Sequence, residues 1–360
     1  ILTAYRELHD VIDLSVLDLR AFEPGSMVWT GSSLETVGDP YRRPASILDS
    51  VRASVGSMKD KVKVARLRSR LLDEEPEECF RGSDRSTLEE LERLDFSEGF
   101  IDAFFRPFLG GVFLERELET SARLFRYYFR CFAAGDAAVP STGMQRLPDL
   151  LAAPLAGRIS LNTRVSAVTP TCVTLQSGGV VEAEQVVLAV GGIPAARLLN
   201  ESPPPHKAAV TSYFAADEAP VDSAMLILDG EGGGPANHVA VMSNVAPEYA
   251  PEGRHLVAVS GTDDAACDEN GFAHRVPEQL RRWFGDSVDR WRLLATYRIP
   301  SALPRHPPGT VEPEAGSARR EDGLVVAGDY TQFGSIQGAL LSGRRAAEAV
   351  IGSPSRTGAT

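Results

Sequence analysis

The sequence predicts a mixed α/β protein in which a helical half precedes a half rich in β-strands. Its 360 residues suffice for two domains of about 150 residues each. Phenylalanines recur at helical spacing at positions 100, 104 and 108, whereas residues 158–183 alternate between apolar and polar side chains. Residues 186–190, VVLAV, form a continuous apolar run, which is typical of a strand buried on both faces of a parallel sheet. The apolar fraction of 43% supports a substantial core.

Capping residues set the helix boundaries of the first half. Ser57 is a suitable N-cap for a helix that ends near residue 72. The segment Ser86–Glu89 matches the capping-box pattern, so a helix begins at residue 87. Pro107 is expected to disturb the phenylalanine-rich helix near its end, because proline lacks a backbone N–H. The predicted helices span residues 1–13, 57–72, 87 onward, 100–108 and 121–133.

The second half is predicted to consist mainly of strands joined by short turns. Ser177-Gly178-Gly179 and the glycine-rich segment 231–234 are typical hairpin turns. A single amphipathic helix is expected over 276–284, and residues 300–316 are expected to be an irregular, proline-rich return. The predicted strands are 20–22, 27–29, 158–161, 165–168, 172–176, 180–183, 186–190, 210–214, 224–228, 239–242, 255–260 and 324–327.

Composition argues against several classes of function. A net charge of −12 repels nucleic acid, so no nucleic-acid partner is expected. The four cysteines are widely separated, which is typical of reduced thiols in a cytoplasmic protein. The six histidines show no metal-ligand spacing, so no metal site is predicted. Residues 1–13 do not form a secretory signal, and the longest apolar stretch, 186–196, is too short to span a bilayer.

The strongest functional signal is a strand–loop–helix unit at residues 323–351. Gly328-Asp329 follows a short apolar strand, and a helix begins near Gln337. Ligands of open α/β sheets bind at the carboxyl ends of strands, and a helix amino terminus offers unpaired N–H groups to an anion. Asp329 can accept hydrogen bonds from a polyol or ribose hydroxyl, and Gly338 lets the backbone approach a ligand. The pattern alone is equally compatible with an ordinary strand–helix unit, so both interpretations stay open here.

Residues 323–351 resemble the carboxyl-terminal flavin segment of the amine-oxidase and phytoene-desaturase superfamily of FAD-dependent oxidoreductases. The family pattern is an apolar strand, Gly-Asp, a short loop, Ser-Ile-x-Gly-Ala and a helix with Ser-Gly-x-x-Ala-Ala. This chain has Gly328-Asp329, SIQGA at 335–339 and SGRRAA at 342–347. The resemblance implies that FAD is the cofactor, that Asp329 contacts its ribityl chain, and that residues 336–339 contact the pyrophosphate or the pyrimidine edge of the flavin.

Two further segments extend the resemblance over nearly the whole chain. Residues 104–151 are similar to the helical region of phytoene-desaturase-like oxidoreductases. Residues 161–168 match the family strand whose backbone, here around Val165, meets the adenine. The resemblance therefore implies a Rossmann-like FAD-binding domain beside a discontinuous substrate domain of helices and a mixed sheet. The cofactor-binding residues that it implies are Val165, Gly328, Asp329, Ser335, Ile336, Gln337, Gly338 and Ala339.

The FAD-binding domain is expected to be discontinuous and incomplete. It is expected at 155–205 and 318–352, with the substrate domain at 1–154 and 206–317 and a helical layer over about 44–150. No G-x-G-x-x-G occurs in the sequence, so the first βαβ unit of the family is expected to be missing. Three explanations stay open: an incomplete sequence, which we favour, a partner chain that supplies the unit, or loss of flavin binding.

The expected activity is that of a desaturase-like or oxidase-like enzyme that moves a hydride from an apolar or amine-bearing small molecule to flavin. A flavin-dependent isomerase and a flavin-free scaffold or partner subunit are the alternatives. No catalytic acid or base is predicted. The aromatic residues of 96–132 either wall a substrate tunnel or form the core of the helical layer. The candidate substrate-pocket residues are Phe104, Phe108, Phe125, Phe129, Thr142, Gly143 and Met144.

Two other features leave open questions about the site and its surface. Many relatives carry glycine where Thr142 stands, so its methyl group is expected to crowd the flavin or the substrate. Lys59, Lys63, Arg66 and Arg70 fall on one face of the predicted helix 57–72. They form either a solvated face or a cationic strip that docks weakly on an anionic bilayer.

Overall fold

The computed structural model describes residues 1–39, 41–43, 52–262, 269–312 and 317–352. The α-helices are α1 (Arg6–Val11), α2 (Met58–Asp73), α3 (Thr87–Arg93), α4 (Glu98–Phe100), α5 (Arg106–Phe113), α6 (Ala122–Ala134), α7 (Arg146–Ala152), α8 (Gly192–Leu199), α9 (Met242–Val245), α10 (Glu269–Phe284) and α11 (Ile336–Ile351). The strands are β1 (Leu19–Ala21), β2 (Gly25–Trp29), β3 (Leu34–Gly38), β4 (Ala138–Pro140), β5 (Val165–Thr169), β6 (Cys172–Leu175), β7 (Val180–Glu182), β8 (Val187–Leu188), β9 (His206–Ala216), β10 (Leu226–Asp229), β11 (His238–Val241), β12 (His255–Gly261), β13 (Arg292–Pro304) and β14 (Val325–Val326).

The largest sheet has seven strands in the order β13-β9-β12-β11-β10-β2-β3. Its neighbouring strands are antiparallel except for β10 and β2, which are parallel, so the predicted mixed α/β architecture with a mixed sheet is confirmed. Alternate side chains of β9 are buried, as expected for a strand with two different faces. Helix α10 covers one face, where Phe272, Val276 and Leu280 pack among the buried valines of the sheet.

A helical layer packs near the β2–β10 side of this sheet. Its core joins Val28 and Leu228 of the sheet to buried phenylalanines of α5 and α6, including Phe113 and Phe125. Ser57 and Ser86 each form the expected capping box at the start of α2 and α3. A π-helical turn over Ile101–Phe105 comes directly before Pro107, but the helix continues past Pro107 as α5 to Phe113, so the end expected near residue 108 is wrong.

A smaller part of the structure carries the strand–loop–helix unit. Strands β8 and β14 form a parallel pair, and the antiparallel sheet β5-β6-β7 packs against them through Val168 and Val173. The apolar run 186–190 forms only the two-residue strand β8. Val187 is 41% exposed and Val190 is 37% exposed, so the expectation of burial on both faces is wrong.

Three other predicted segments differ from the structure. Residues 158–161 are not a strand: they lie between turns, Ile159 is 48% and Leu161 78% exposed, and no strand of the described residues pairs with them. Strand β13 extends through Pro304, so the irregular return begins later than residue 300. Helix α10 begins at Glu269 rather than near Val276, and Pro277 lies inside it.

Candidate functional site

The carboxyl end of β14 leads directly into a tight turn. Gly328 donates its N–H to the hydroxyl oxygen of Ser342 on α11, over 2.9 Å. A Cβ at position 328 would lie 2.2 Å from the ring of Tyr330, so only glycine fits while that ring folds across the turn. This turn places Asp329 between the end of the strand and the start of α11.

Asp329 is half-buried, and its carboxylate is a hydrogen-bond acceptor at the carboxyl end of β14. Burial raises the pKa of its carboxyl group, against the opposing effect of the Tyr330 N–H and of the nearby His206 imidazole. The hydroxyl of Tyr330 is buried without a hydrogen-bond partner in the described part of the chain, and burial together with Asp329 raises its pKa to about 12. A polyol ligand would supply hydrogen bonds to such groups.

Helix α11 presents unpaired donors at its amino terminus. Ser335 is its N-cap, and its hydroxyl oxygen accepts the N–H of Gly338 over 2.9 Å. Among the described residues nothing accepts the N–H groups of Ile336 and Gln337, and Ala339 beside them is exposed. These groups and the dipole of a helix of 16 residues favour a negatively charged ligand.

Gly338 is required by the loop that leads into this helix. A Cβ at position 338 would lie 1.9 Å from the carbonyl oxygen of Phe333, so any larger residue would displace the loop. The sequence interpretation gave this glycine a role toward the ligand, whereas its immediate contact in the structure is with its own chain.

Gln337 is held by α1 on the other side of the helix. Its side-chain oxygen accepts the N–H of Glu7 over 3.0 Å, and the Glu7 carboxylate binds Arg344 through two contacts of 2.8 Å. A polar cavity of about 320 Å³ lies beside this contact and is also lined by Arg345. The side chain of Gln337 therefore fixes α1 against α11.

Val165 lies apart from α11, at the start of β5. It is half-buried and pairs with Leu175 of β6. Because the sheet that contains it packs against β8 and β14, it belongs to the same smaller part of the structure as Asp329. Its role toward adenine stays a prediction.

A second, apolar cavity of about 540 Å³ lies between the seven-stranded sheet and the helical layer. Phe104, Phe108 and Phe129 line it. The rings of Phe104 and Phe108 stack with their centroids 5.6 Å apart. Phe125 is fully buried in the core and does not line the cavity. Three of the four candidate phenylalanines thus meet around one chamber.

The loop residues 142–144 lie elsewhere. Thr142 and Met144 are exposed between β4 and α7, and none of these residues lines either cavity. Gly143 has a φ of +94° and donates its N–H to the carbonyl oxygen of Pro140, which makes it a turn residue. Their contact with substrate or flavin stays a prediction.

Sequence reasoning missed the polar residues that line the apolar cavity, among them His238. His238, grouped above with histidines that show no metal spacing, lines the chamber next to Gly111. Its position depends on contacts between residues far apart in the sequence, so no local pattern indicated it. Among the described residues no group of side chains is suited to hold a metal ion, and no helix meets the length and apolarity needed to cross a membrane.

Solved structures share this fold. An oxidoreductase from Methanosarcina mazei matches with a TM-score of 0.68 and 17% identity, over 92% of this chain and 82% of that one. Putrescine oxidase bound to putrescine matches with a TM-score of 0.67 and 15% identity, over 98% and 87% of the two chains. Reduced UDP-galactopyranose mutase matches with a TM-score of 0.63 and 14% identity, over 98% and 82%. No curated protein sequence matches the chain.

A flavin nucleotide fits the groups at the end of β14. Asp329 has a carboxylate that would suit the hydroxyl groups of a polyol, the Tyr330 hydroxyl has no partner in the described part of the chain, and the first turn of α11 has N–H donors that would suit an anionic or carbonyl oxygen. The family model for flavin containing amine oxidoreductases matches residues 8–351, which is almost the entire chain. The chain therefore belongs to the flavin containing amine oxidoreductases, and it is an FAD-dependent oxidoreductase.

Proposed function

We propose that this enzyme takes a hydride from an apolar or amine-bearing small molecule bound in the apolar cavity. The observation that carries the proposal is the chamber of about 540 Å³, walled by Phe104, Phe108 and Phe129. A volume in the range of 300–1,000 Å³ is typical of small-molecule sites. Apolar walls stabilise a hydrocarbon portion of a substrate and keep water away from the reacting bond.

The charges at the rim favour an apolar substrate over a cationic amine. The carboxylate of Glu23 binds Arg43 over 2.5 Å, and that of Asp39 lies 3.8 Å from Arg68. An arginine thus already neutralises the charge of each of the two carboxylates that line the cavity. The ammonium group of a substrate would lose its hydration there without gaining a carboxylate partner. An amine would have to enter as the neutral base.

The chain's own residues bind and orient, and the cofactor supplies the redox chemistry. When bound, FAD would supply the redox chemistry: the substrate would lose a hydride from one C–H bond and a proton, which ends in bulk water, from the neighbouring atom, so that it leaves with a new double bond, and the two electrons would pass to oxygen or another acceptor. Asp329 and the first turn of α11 would hold the cofactor, and the phenylalanines would hold the substrate.

The test is anaerobic bleaching of flavin absorbance in the FAD-loaded enzyme. Apolar compounds with an oxidisable C–H bond are compared with primary amines of matched size, and we expect the apolar set to bleach the flavin faster. Val112→Trp, which places a large ring in the cavity wall, should abolish bleaching, whereas Val16→Trp on an exposed turn should not. Conversion of a compound without net bleaching would instead indicate the isomerase, and a chain unable to bind FAD would indicate the flavin-free scaffold.

We also propose a weak contact between the cavity mouth and an anionic bilayer. Met58 and Val62 of α2 line the cavity and are 54% and 44% exposed. Of the four cationic residues predicted on this helix, Lys63 binds Asp95 and Arg70 lies near Glu74, whereas Lys59 and Arg66 make no ion pair within the described chain. Co-sedimentation with anionic vesicles at low salt, reduced by Lys59→Glu with Arg66→Glu, supports the contact; its absence at low salt refutes it.

A further inference from the structure

His238 is fixed at the wall of the apolar cavity by the centre of the large sheet. It is the first residue of β11 and pairs with Leu228 of β10 and Ser260 of β12. Its ring lies against Gly111 of α5, where an added Cβ would come within 3.0 Å of Nδ1 and 3.2 Å of Cε1. The backbone on both sides therefore leaves the ring little freedom to turn away from the cavity.

The neighbouring amide determines where the imidazole carries its proton. Asn237 is buried, and its Nδ2 donates to the carbonyl oxygen of Pro107 over 2.8 Å. The same Nδ2 lies 3.2 Å from Nδ1 of His238. Because an amide nitrogen can only donate, Nδ1 must accept, and the ring proton lies on Nε2. Rotating the amide by 180° would place its oxygen against the Pro107 carbonyl, which rules out the opposite assignment.

The surroundings of His238 favour the neutral form of its imidazole. Burial lowers the pKa of His238 to about 4, because the apolar surroundings disfavour the imidazolium. At this position in the cavity wall His238 thus provides a neutral N–H donor, and no described residue accepts a hydrogen bond from Nε2. A donor in apolar surroundings gains most from a ligand that brings an acceptor.

We infer that His238 is a substrate-anchoring residue, whose Nε2–H donates a hydrogen bond to an acceptor oxygen of an otherwise apolar substrate. The inference rests on the proposed function, since it takes the apolar cavity as the substrate chamber. It narrows the substrate class to hydrocarbon-like or aromatic molecules that carry one carbonyl, ether or hydroxyl oxygen. A protonated amine, which has only donors, would be disfavoured at this position.

The test compares two ligands of nearly the same shape, 2-acetylnaphthalene and 2-isopropylnaphthalene, bound to the full chain. Only the first carries a carbonyl oxygen. His238→Phe keeps a ring and removes the donor, and His238→Gln retains an N–H. We expect His238→Phe to lower the affinity for 2-acetylnaphthalene, relative to that for 2-isopropylnaphthalene, by about 3- to 10-fold, which is the effect of one neutral hydrogen bond. His238→Gln should recover part of this preference.

Val112→Ala is the matched control, because Val112 lines the same cavity without a polar group. This substitution should weaken the binding of both ligands equally and leave the ratio of their affinities unchanged. If both ligands bind and the ratio of their affinities is the same in the wild type and in His238→Phe, the role of His238 as an anchor is refuted, whereas the proposal that the cavity binds substrate is retained. If neither ligand binds the wild-type chain, the substrate chamber and the anchor fail together.

Discussion

Replacing Asp329 by Asn tests whether this carboxylate exists to bind the cofactor. The amide keeps one acceptor oxygen and loses the charge. Hydrogen bonds to charged groups contribute about 1.5–3 kcal/mol and neutral ones about 0.5–1.5 kcal/mol. The difference of about 1–1.5 kcal/mol should weaken FAD binding by roughly 5- to 10-fold. Quenching of FAD fluorescence during titration into the FAD-free chain measures the change.

The same substitution should act in the opposite direction on the stability of the FAD-free protein. Burial raises the pKa of Asp329, so the folded chain holds the charged carboxylate less readily than the unfolded chain does. Removing the charge should therefore raise the free energy of unfolding at neutral pH. The sign also sets the pH dependence: this group opposes folding above its raised pKa, and the effect disappears as the pH falls through that value toward the usual range near ~3.9.

Asp222→Asn provides the matched control, because Asp222 is exposed and lies in a loop outside β14 and α11. It should change neither FAD affinity nor stability. An affinity for FAD equal to that of the control would refute the assignment of Asp329 to the ribityl chain. A loss of stability in Asp329→Asn would contradict the argument that burial of its charge opposes folding.

Three further substitutions address the framework around the two sites. The amine of Lys207 lies 2.5 Å from the buried carboxylate of Glu115, so Lys207→Met should lower the free energy of unfolding in urea by about 3–5 kcal/mol. Adding Glu115→Leu should restore most of that loss. If the effects of the two substitutions are additive in the double variant, the pairing is contradicted. Ser335→Ala removes the α11 N-cap and should cost about 1 kcal/mol in the same assay. Tyr128→Phe removes a buried 2.8 Å hydrogen bond to the Gly334 carbonyl and should cost about 1 kcal/mol; an unchanged midpoint would argue against that bond.

Features encoded by residues close together in the sequence were predictable. The capping boxes at Ser57 and Ser86 depend on a hydrogen bond three residues away, so they identify the starts of α2 and α3 directly. The strand at the start of the strand–loop–helix unit and the start of α11, predicted near Gln337 and found at Ile336, likewise follow from local pattern. The strand expected at 158–161 failed because alternation does not reveal whether another strand is available as a partner.

The place of His238 in the apolar cavity was not predictable, because segments that are distant in the sequence create it. His238 is placed by Gly111 of α5, and its tautomer is set by an amide that binds Pro107. Only the packing of α5 against the start of β11 brings these groups together. The amino-acid sequence gives no indication of that contact, and a histidine outside any metal-ligand spacing usually has no ligand role.

The aromatic residues of α6 contribute both to the wall of the apolar cavity and to the core. One side of the helix lines the apolar cavity through Phe129. The opposite side holds the segment before α11, since Tyr127 packs against Phe333 with ring centroids 5.4 Å apart and Tyr128 donates to the carbonyl oxygen of Gly334. A single rigid helix therefore contacts both the chamber proposed for the substrate and the loop that sets the first turn of α11. Orientation of a substrate relative to a flavin requires such a fixed link, because small displacements between reacting atoms cost large factors in rate.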